Sequence, residues 1–444
     1  MSADYAVPSS TPLERDAHAT LTDHTVAPGE IAIGVVIGRA AEYFDFFVYG
    51  IASVIIFPKV FFPFAAPLAG TIYSFALFAL AFVARPIGSA IFTEIDRRHG
   101  RGVKLTIALF LLGGSTAAIA FLPNYATLGA TAIWLLAAFR CGQGLALGGA
   151  WDGLASLLAL NAPENKRGWY AMMPQLGAPI GFMLASALFA FFLANLSEAD
   201  FLDFGWRYPF FVAFAVNVVA LFARLRLVAT EEFVRLIEKG ELEPTPALEA
   251  LRAHGRDIVI GAFVPLASFA LFHLVTVFPI SWINLFTTRS VGEFLMVQFA
   301  GATVCAGAVV ISGIVADQIG RRTLVAVSAG LILLFALASI VAPLLVGDSE
   351  VGQTIYVLVG FGLLGLSYGQ TSGAVASQFG SRYRYTGSAL TADLAWLIGA
   401  GFAPLVALSL SSDFGLAWVG VYLLSGAVAT LVALGYNRRT SALA

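Results

Sequence analysis

Two carboxylates and an arginine stand where an apolar chain has least use for them. Glu42 and Asp45 lie inside a hydrophobic run beginning near Ile31, and Arg140 lies inside another beginning near Thr131. An ionisable side chain at the centre of a membrane span costs ~2.5–3.5 kcal/mol on insertion scales, so such groups tend to face a cavity and to be functional. Glu42 and Asp45 are three residues apart and therefore share a helix face. At a rise of ~1.5 Å per residue both sit near mid-depth, and Arg140, entering from the other side, reaches a similar depth. The leading expectation is an ion pair of Glu42 or Asp45 with Arg140. A carboxylate beside an arginine can take up a proton when a substrate anion competes for the guanidinium, which is a physical route to coupling. The alternative is a permanent structural salt bridge.

Further polar groups interrupt other apolar runs. Asp152 follows Arg140 by twelve residues, toward the end of the same helix. It is either the coupling acid or a wet residue at a cavity mouth, and Asp393 in the eleventh run has the same two readings. His273 in the seventh run is either a proton carrier or a hydrogen-bonded packing residue. Gln143, Gln175, Gln298 and Gln370 can hold substrate oxygens or join helices by hydrogen bonds. Tyr43, Tyr49, Trp151, Tyr368 and Trp396 are the aromatic candidates for a cavity wall.

The composition says what kind of scaffold positions these groups. Of 444 residues, 59% are hydrophobic and 12% charged, against roughly 25% charged in soluble globular proteins. With a mean hydropathy of +0.85 there is too little polar surface to coat a water-soluble particle. Cys141 and Cys305 both lie in apolar runs, which argues against a disulfide framework. No basic tract suggests nucleic acid. Residues 1–29 are polar and acidic and lack the basic start and apolar stretch of a cleavable signal peptide. The first hydrophobic helix is expected to act as an uncleaved insertion signal.

A helix crossing hydrocarbon needs roughly 20 mostly apolar residues. Runs of that kind begin near Ile31, Ala69, Leu105, Thr131, Trp169, Tyr208, Ile258, Glu293, Thr323, Gln353, Gly387 and Gly415, which predicts twelve spans. Cations mark the cytoplasmic side. With the amino terminus inside, the cytoplasmic connectors and tail hold Arg97, Arg98, Arg101, Lys104, Lys166, Arg167, Arg321, Arg322, Arg382, Arg384, Arg438 and Arg439, while the other side holds mainly Lys59 and Arg289. Both termini are therefore expected in the cytoplasm, with the chain multi-pass in the plasma (inner) membrane. The predicted organisation is a polar tail over 1–29, a six-helix bundle over 30–226, a cytoplasmic linker over 227–257, a second six-helix bundle over 258–437 and a short tail over 438–444.

The two bundles share a signature. The eighth helix ends in Gly313-Ile-Val-Ala-Asp317-Gln-Ile-Gly320-Arg321-Arg322, and the second in Thr93-Glu-Ile-Asp96-Arg97-Arg98-His99-Gly100-Arg101. Repeated six-helix halves are an architecture of secondary transporters, with substrate bound near the bilayer midplane between them. Gly100 and Gly320 allow a tight turn between helix ends. The acid can accept hydrogen bonds from a neighbouring helix N-terminus, and Arg98, Arg101, Arg321 and Arg322 can hold carboxylates or lipid phosphates. The loops are topology anchors, gates, or both.

From about Gly34 to Asn437 the chain resembles the major facilitator superfamily, and within it the metabolite:proton symporter family of shikimate, α-ketoglutarate, citrate and proline/betaine porters. The resemblance rests on Glu42-Tyr43-Phe44-Asp45-Phe46-Phe47-Val48-Tyr49-Gly50, on Arg85-Pro86-Ile87-Gly88, and on Arg140-Cys-Gly-Gln143-Gly144-Leu-Ala-Leu-Gly148-Gly149-Ala150-Trp151. It continues through Asn161-Ala-Pro163-Glu164-Asn-Lys166-Arg167-Gly168, Pro174-Gln175-Leu-Gly177-Ala-Pro179 and Gly205-Trp206-Arg207-Tyr208-Pro209-Phe210. It implies an all-α membrane protein of twelve transmembrane helices in two six-helix halves, the major facilitator fold. Tyr49 and Trp151 gain weight as cavity residues because they fall inside these motifs. The chain departs from the family at Ala150, where the family usually has Glu, at Thr93 and Asp96-Arg97-Arg98 in the first loop motif, and at Asp393, an acid not expected of the family. Whatever the family's Glu does in coupling is then moved, for instance to Asp152, or lost.

Some motif spellings carry nothing. Gly360-Phe-Gly362-Leu-Leu-Gly365 spells a dinucleotide fingerprint but lies inside an apolar helix with no preceding strand, so it reads as helix packing. No metal cluster, nucleophile elbow or phosphate loop is present in the sequence, and no cofactor is expected. The expected function is proton-coupled uptake of a small organic acid or zwitterion by a monomer in contact with lipid. Arg140 favours an anionic cargo and Asp45 leads as proton carrier, ahead of Glu42 and Asp152. Proton-driven export of an amphipathic compound and a non-transporting sensor are the alternatives.

Overall fold

A computed structural model describes residues 28–150, 162–228, 243–343, 349–371, 379 and 381–441. Every regular element among these residues is helical. The spanning helices are α1 (Pro28–Ile55), α2 (Pro67–His99), α3 (Arg101–Ala120), α4 (Ala130–Gly149), α5 (Arg167–Asn195) and α6 (Arg207–Val228). They are followed by α7, built from Ala247–Phe263, Leu266–Val275 and Val277–Phe286, and by α8 (Val291–Ile319), α9 (Arg321–Val341), α10 (Glu350–Tyr368), α11 (Arg382–Phe414) and α12 (Ala417–Ser441). Eleven are long and apolar enough to cross a membrane by sequence alone. The remaining helix, α1, carries Arg39, Glu42 and Asp45 within its 28 residues. With twelve helices running back and forth, Pro28 and Ser441 fall at the same side of the bundle, the terminal side.

The halves are built alike. Helix α2 packs on α4 and α3 on α6, just as α8 packs on α10 and α9 on α12. Small residues allow the close pairs. A Cβ at Gly88 would lie 2.2 Å from the Leu145 carbonyl oxygen, and one at Gly144 would lie 2.3 Å from that of Ala81. Across the repeat, a Cβ at Gly365 would lie 2.4 Å from the Cys305 carbonyl oxygen. The glycines of the fourth and tenth helices are thus contact residues of the small-residue kind that membrane helices use. The two loop motifs also match: Gly100 (φ 83°) and Gly320 (φ 86°) each take a left-handed backbone that a side chain would strain, and each starts the next helix.

Two helices of the second half are interrupted. Helix α7 breaks before Pro265 and again at Thr276. Gln298 on α8 donates to the carbonyls of Val275 (2.9 Å) and Thr276 (2.7 Å), satisfying backbone that the second break exposes. Helix α11 widens into one π turn at Leu397–Gly401, directly after Trp396. The halves meet where α5 runs along α8 and α2 along α11, and where the nearly wholly buried middle of α7 meets α1. Large apolar side chains such as Phe110, Trp134, Phe222 and Leu334 face outward, as a lipid-solvated surface requires.

Candidate functional site

Between the halves lies a cavity open to solvent. Its first-half wall carries Arg39, Glu42, Tyr43, Phe46, Phe82, Arg85 and Gln175, and its second-half wall Phe269, Tyr368, Thr371, Ser388 and Trp396. The aromatic lining is continuous. Trp396 stacks on Phe269 at 4.3 Å between ring centroids, meets Phe82 at 6.2 Å and Phe272 at 5.2 Å. The hydroxyls of Tyr43 and Tyr368 bond to each other across the halves. Apolar rings together with the guanidinium groups and the Gln175 amide give this wall both apolar surface and hydrogen-bond donors.

Asp45 and Arg140 do not line this cavity; they lie buried behind its wall, inside the first half. Asp45 accepts from the Thr116 hydroxyl (2.8 and 2.9 Å), Thr116 accepts from the Gln143 amide (2.9 Å), and Gln143 accepts from Arg140 Nη1 (3.0 Å). Arg140 also donates to the Phe78 carbonyl (3.3 Å), and its guanidinium lies 3.9 Å from the Tyr49 ring centroid and 4.8 Å from that of Phe78. The charges are joined through two neutral groups rather than in contact. The expected direct pair of Arg140 with Glu42 or Asp45 is therefore corrected: Thr116 and Gln143, from α3 and α4, fill the space between.

Glu42 turns elsewhere. It accepts a hydrogen bond from Arg39 (2.8 Å) on its own helix and forms an ion pair with Arg224 (2.6 Å) on α6. Arg224 also donates to the Ala150 carbonyl (3.0 Å), tying the ends of α4 and α6 to α1. Tyr49 is likewise corrected as a wall residue, because its ring lies under Arg140 while Tyr43, Tyr368 and Trp396 form the wall. Trp151 and Asp152 lie outside the described residues.

His273 sits on the far side of the cavity from the terminal side, fully buried against Phe46 (5.6 Å), Phe78 (5.3 Å), Phe82 (6.1 Å) and Phe272 (5.3 Å). Neither ring nitrogen has a hydrogen-bond partner among the described residues. With Phe47 stacked on Phe272 at 5.5 Å, this cluster joins α1 and α2 to α7.

Cross-half bonds also lie on the terminal side of the cavity. Asp393 accepts from Arg85 Nε (2.6 Å) and from the Ser89 hydroxyl, both on α2. Asp96 is buried with Arg101 (3.2 Å) and Lys104 (3.5 Å), and both Lys104 (2.6 Å) and Asp96 (3.2 Å) bond to the Tyr385 hydroxyl on α11. Asp317 accepts from the backbone N–H groups of Gly168 (2.6 Å) and Trp169 (3.1 Å) at the start of α5, where the helix dipole favours a carboxylate. Gln370 donates to the Gly168 carbonyl (3.1 Å) and to Ser312 (3.3 Å), so it joins helices rather than facing the cavity. Among the described residues Arg98 bonds its neighbour Glu94 (2.5 Å) at the surface, and Arg322 donates to the Leu434 carbonyl, fastening α9 to α12. Arg321 is partly buried near Asp317 and Arg167.

Sequence reading passed over Arg85, Arg39, Arg224 and Tyr385 as site residues. Arg85 and Arg224 are arginines inside apolar runs, the same signal that singled out Arg140.

A helical membrane protein whose two like halves enclose a polar-and-aromatic cavity, with cross-half contacts on either side of it, has the build of a transporter. Residues 35–393 match the Major Facilitator Superfamily. The chain is 37% identical over 434 residues to the Inner membrane metabolite transport protein YhjE of Escherichia coli strain K12, covering 96% of this chain and 98% of that protein. It is 29% identical over 416 residues to the Shikimate transporter of the same strain, covering 89% and 91%. The solved structure of the proton:xylose symporter XylE of E. coli superposes with a TM-score of 0.69 at 16% identity, over 93% of this chain and 95% of that one, a likeness of fold. The chain belongs to the Major Facilitator Superfamily, among its metabolite transport proteins; it is a multi-pass membrane transporter and not an enzyme.

Proposed function

We propose that this protein is a proton-coupled symporter that takes up a small organic acid or zwitterion by alternating access. The observation that carries the reading is a cavity between the halves with breakable cross-half contacts on both sides. The aromatic cluster around His273 closes one route, and the Arg85–Asp393, Asp96–Tyr385 and Asp317–α5 bonds restrain the other. Breaking either set alone opens the cavity to one side. The two arginines on the wall favour a carboxylate and the aromatic rings an apolar or cationic body. That chemistry fits the cargoes named for relatives, shikimate and proline or betaine, each of which bears a carboxylate.

Asp45 is the proton carrier in this reading. It is buried beside, but not in, the cargo cavity, and the Thr116–Gln143 chain connects it to Arg140. Protonating Asp45 leaves the Arg140 charge uncompensated, so proton binding shifts the balance between conformers. Asp45→Asn keeps the size and removes the titrating group. In proteoliposomes this variant should exchange labelled for unlabelled solute yet lose accumulation driven by a pH gradient. Undiminished accumulation eliminates Asp45 as the carrier.

We infer further that the terminal side is cytoplasmic, because it carries the arginine-rich connectors. A cysteine placed at Ser197, exposed on the opposite side, should react with an impermeant maleimide added outside intact cells. Protection of that position until the cells are broken reverses the orientation.

A further inference from the structure

We propose that Arg85 is the anchor for the carboxylate of the cargo, and that Asp393 is a built-in counter-ion which the cargo displaces; this rests on the carboxylate reading above. The cavity wall holds two guanidinium groups with different surroundings. Arg39 is matched by Glu42 on its own helix (2.8 Å), a pair that stays intact however the halves move. Arg85 is matched across the halves, by an acid 308 residues away on α11. Only Nε of Arg85 is engaged by Asp393, and among the described residues its two Nη groups have no hydrogen-bond acceptor. A guanidinium offers five donors in a planar fork suited to bidentate capture of a carboxylate. The free edge of this fork belongs to a residue on the cavity wall, and its charge centre lies 5.9 Å from the Trp396 ring, another wall residue.

The displaced acid keeps a partner. Asp393 also accepts from Ser89, so losing Arg85 does not strand it without a hydrogen bond. The consequence is mechanical. Arg85 and Asp393 attract one another only while Arg85 lacks another anion. A cargo carboxylate on the fork competes for that charge, loosening one of the bonds that hold α2 against α11 on the terminal side. Cargo binding and release of that contact are then one event, and the competition keeps the empty protein from opening at the same rate as the loaded one.

Purified full-length protein is titrated with shikimate and, separately, with betaine, and the dissociation constant is read by calorimetry for the parent, Asp393→Asn, Arg85→Gln and the double variant. Asp393→Asn removes the competitor and should bind the accepted carboxylate about tenfold more tightly. Arg85→Gln should lose ~10–100-fold. The double variant removes both charges, leaves no unpaired buried ion to unfold the protein, and should bind as poorly as Arg85→Gln. Unchanged or weaker binding in Asp393→Asn overturns the displacement, and parental affinity in the double variant overturns the anchor. If neither probe binds the parent, the carboxylate reading falls and this inference with it.

Discussion

The two halves solve the problem of buried polarity in different ways. Among the described residues, the first half buries Glu42, Asp45, Asp96, Arg101, Lys104, Arg140 and Arg224, whereas the second buries Asp393 and His273. In the second half the buried polar work falls to neutral groups: Gln298 on the carbonyls of Val275 and Thr276, Tyr356 on that of Leu274 (3.1 Å), and Ser268 on Ser367. Both halves carry interrupted helices, α5 of the first tightening into a 3-10 turn at Met173–Leu176 beside the cavity. The second half contains the broken α7 and the π turn of α11, both against the cavity. Buried charges need fixed partners, because an ion that loses its partner in a dry interior is costly. A broken helix offers a place to bend, and its freed carbonyls are satisfied by side chains that carry no charge. Buried charge is thus concentrated in the first half, and Arg85–Asp393 is one of the bonds that join it to the second.

This contrast breaks most sharply at Arg140. Arg140→Ala should lose transport and lower stability by about 3 kcal/mol, because it strips Asp45 of its compensating cation and empties the space between the Tyr49 and Phe78 rings. Thermal unfolding in detergent measures this, and parental stability means the charge network is not structural. The corresponding change in the second half should do far less. His273→Leu replaces a ring that has no hydrogen-bond partner among the described residues, in a cage of phenylalanines, with an apolar side chain of similar size. Its stability should stay within about 1 kcal/mol of the parent, or rise. Should transport vanish while stability holds, His273 belongs with the proton chemistry and the division between the halves fails.

The fold was legible in the chain to a considerable depth. The twelve apolar runs, the matched loop motifs and the glycine spacing in the tenth helix all report local requirements: length to cross hydrocarbon, a turn that only glycine adopts easily, and close backbone approach. The site was less legible. Glu42 and Asp45 share a helix face in sequence, yet in the structure one reaches Arg224 and the other Thr116. The rotation of α1 against α3, α4 and α6 decides which cation each acid meets, and no spacing within α1 encodes it. Tyr43 and Tyr49 share one motif, yet six residues of helix turn the first to the cavity wall and the second under Arg140.

By itself the sequence determined that this protein lives in a membrane, how many times it crosses, that it is built twice, and which residue types it commits to the apolar interior. Those are properties of composition and short-range pattern, since the bilayer acts on each span separately. Tertiary structure alone decided which charges are partners. It placed Arg140 behind the cavity and Arg85 on its wall, and it brought Asp393 across from the other half. Pairing at such sequence distances follows from how two six-helix bundles face one another, and that depends on contacts no single span contains.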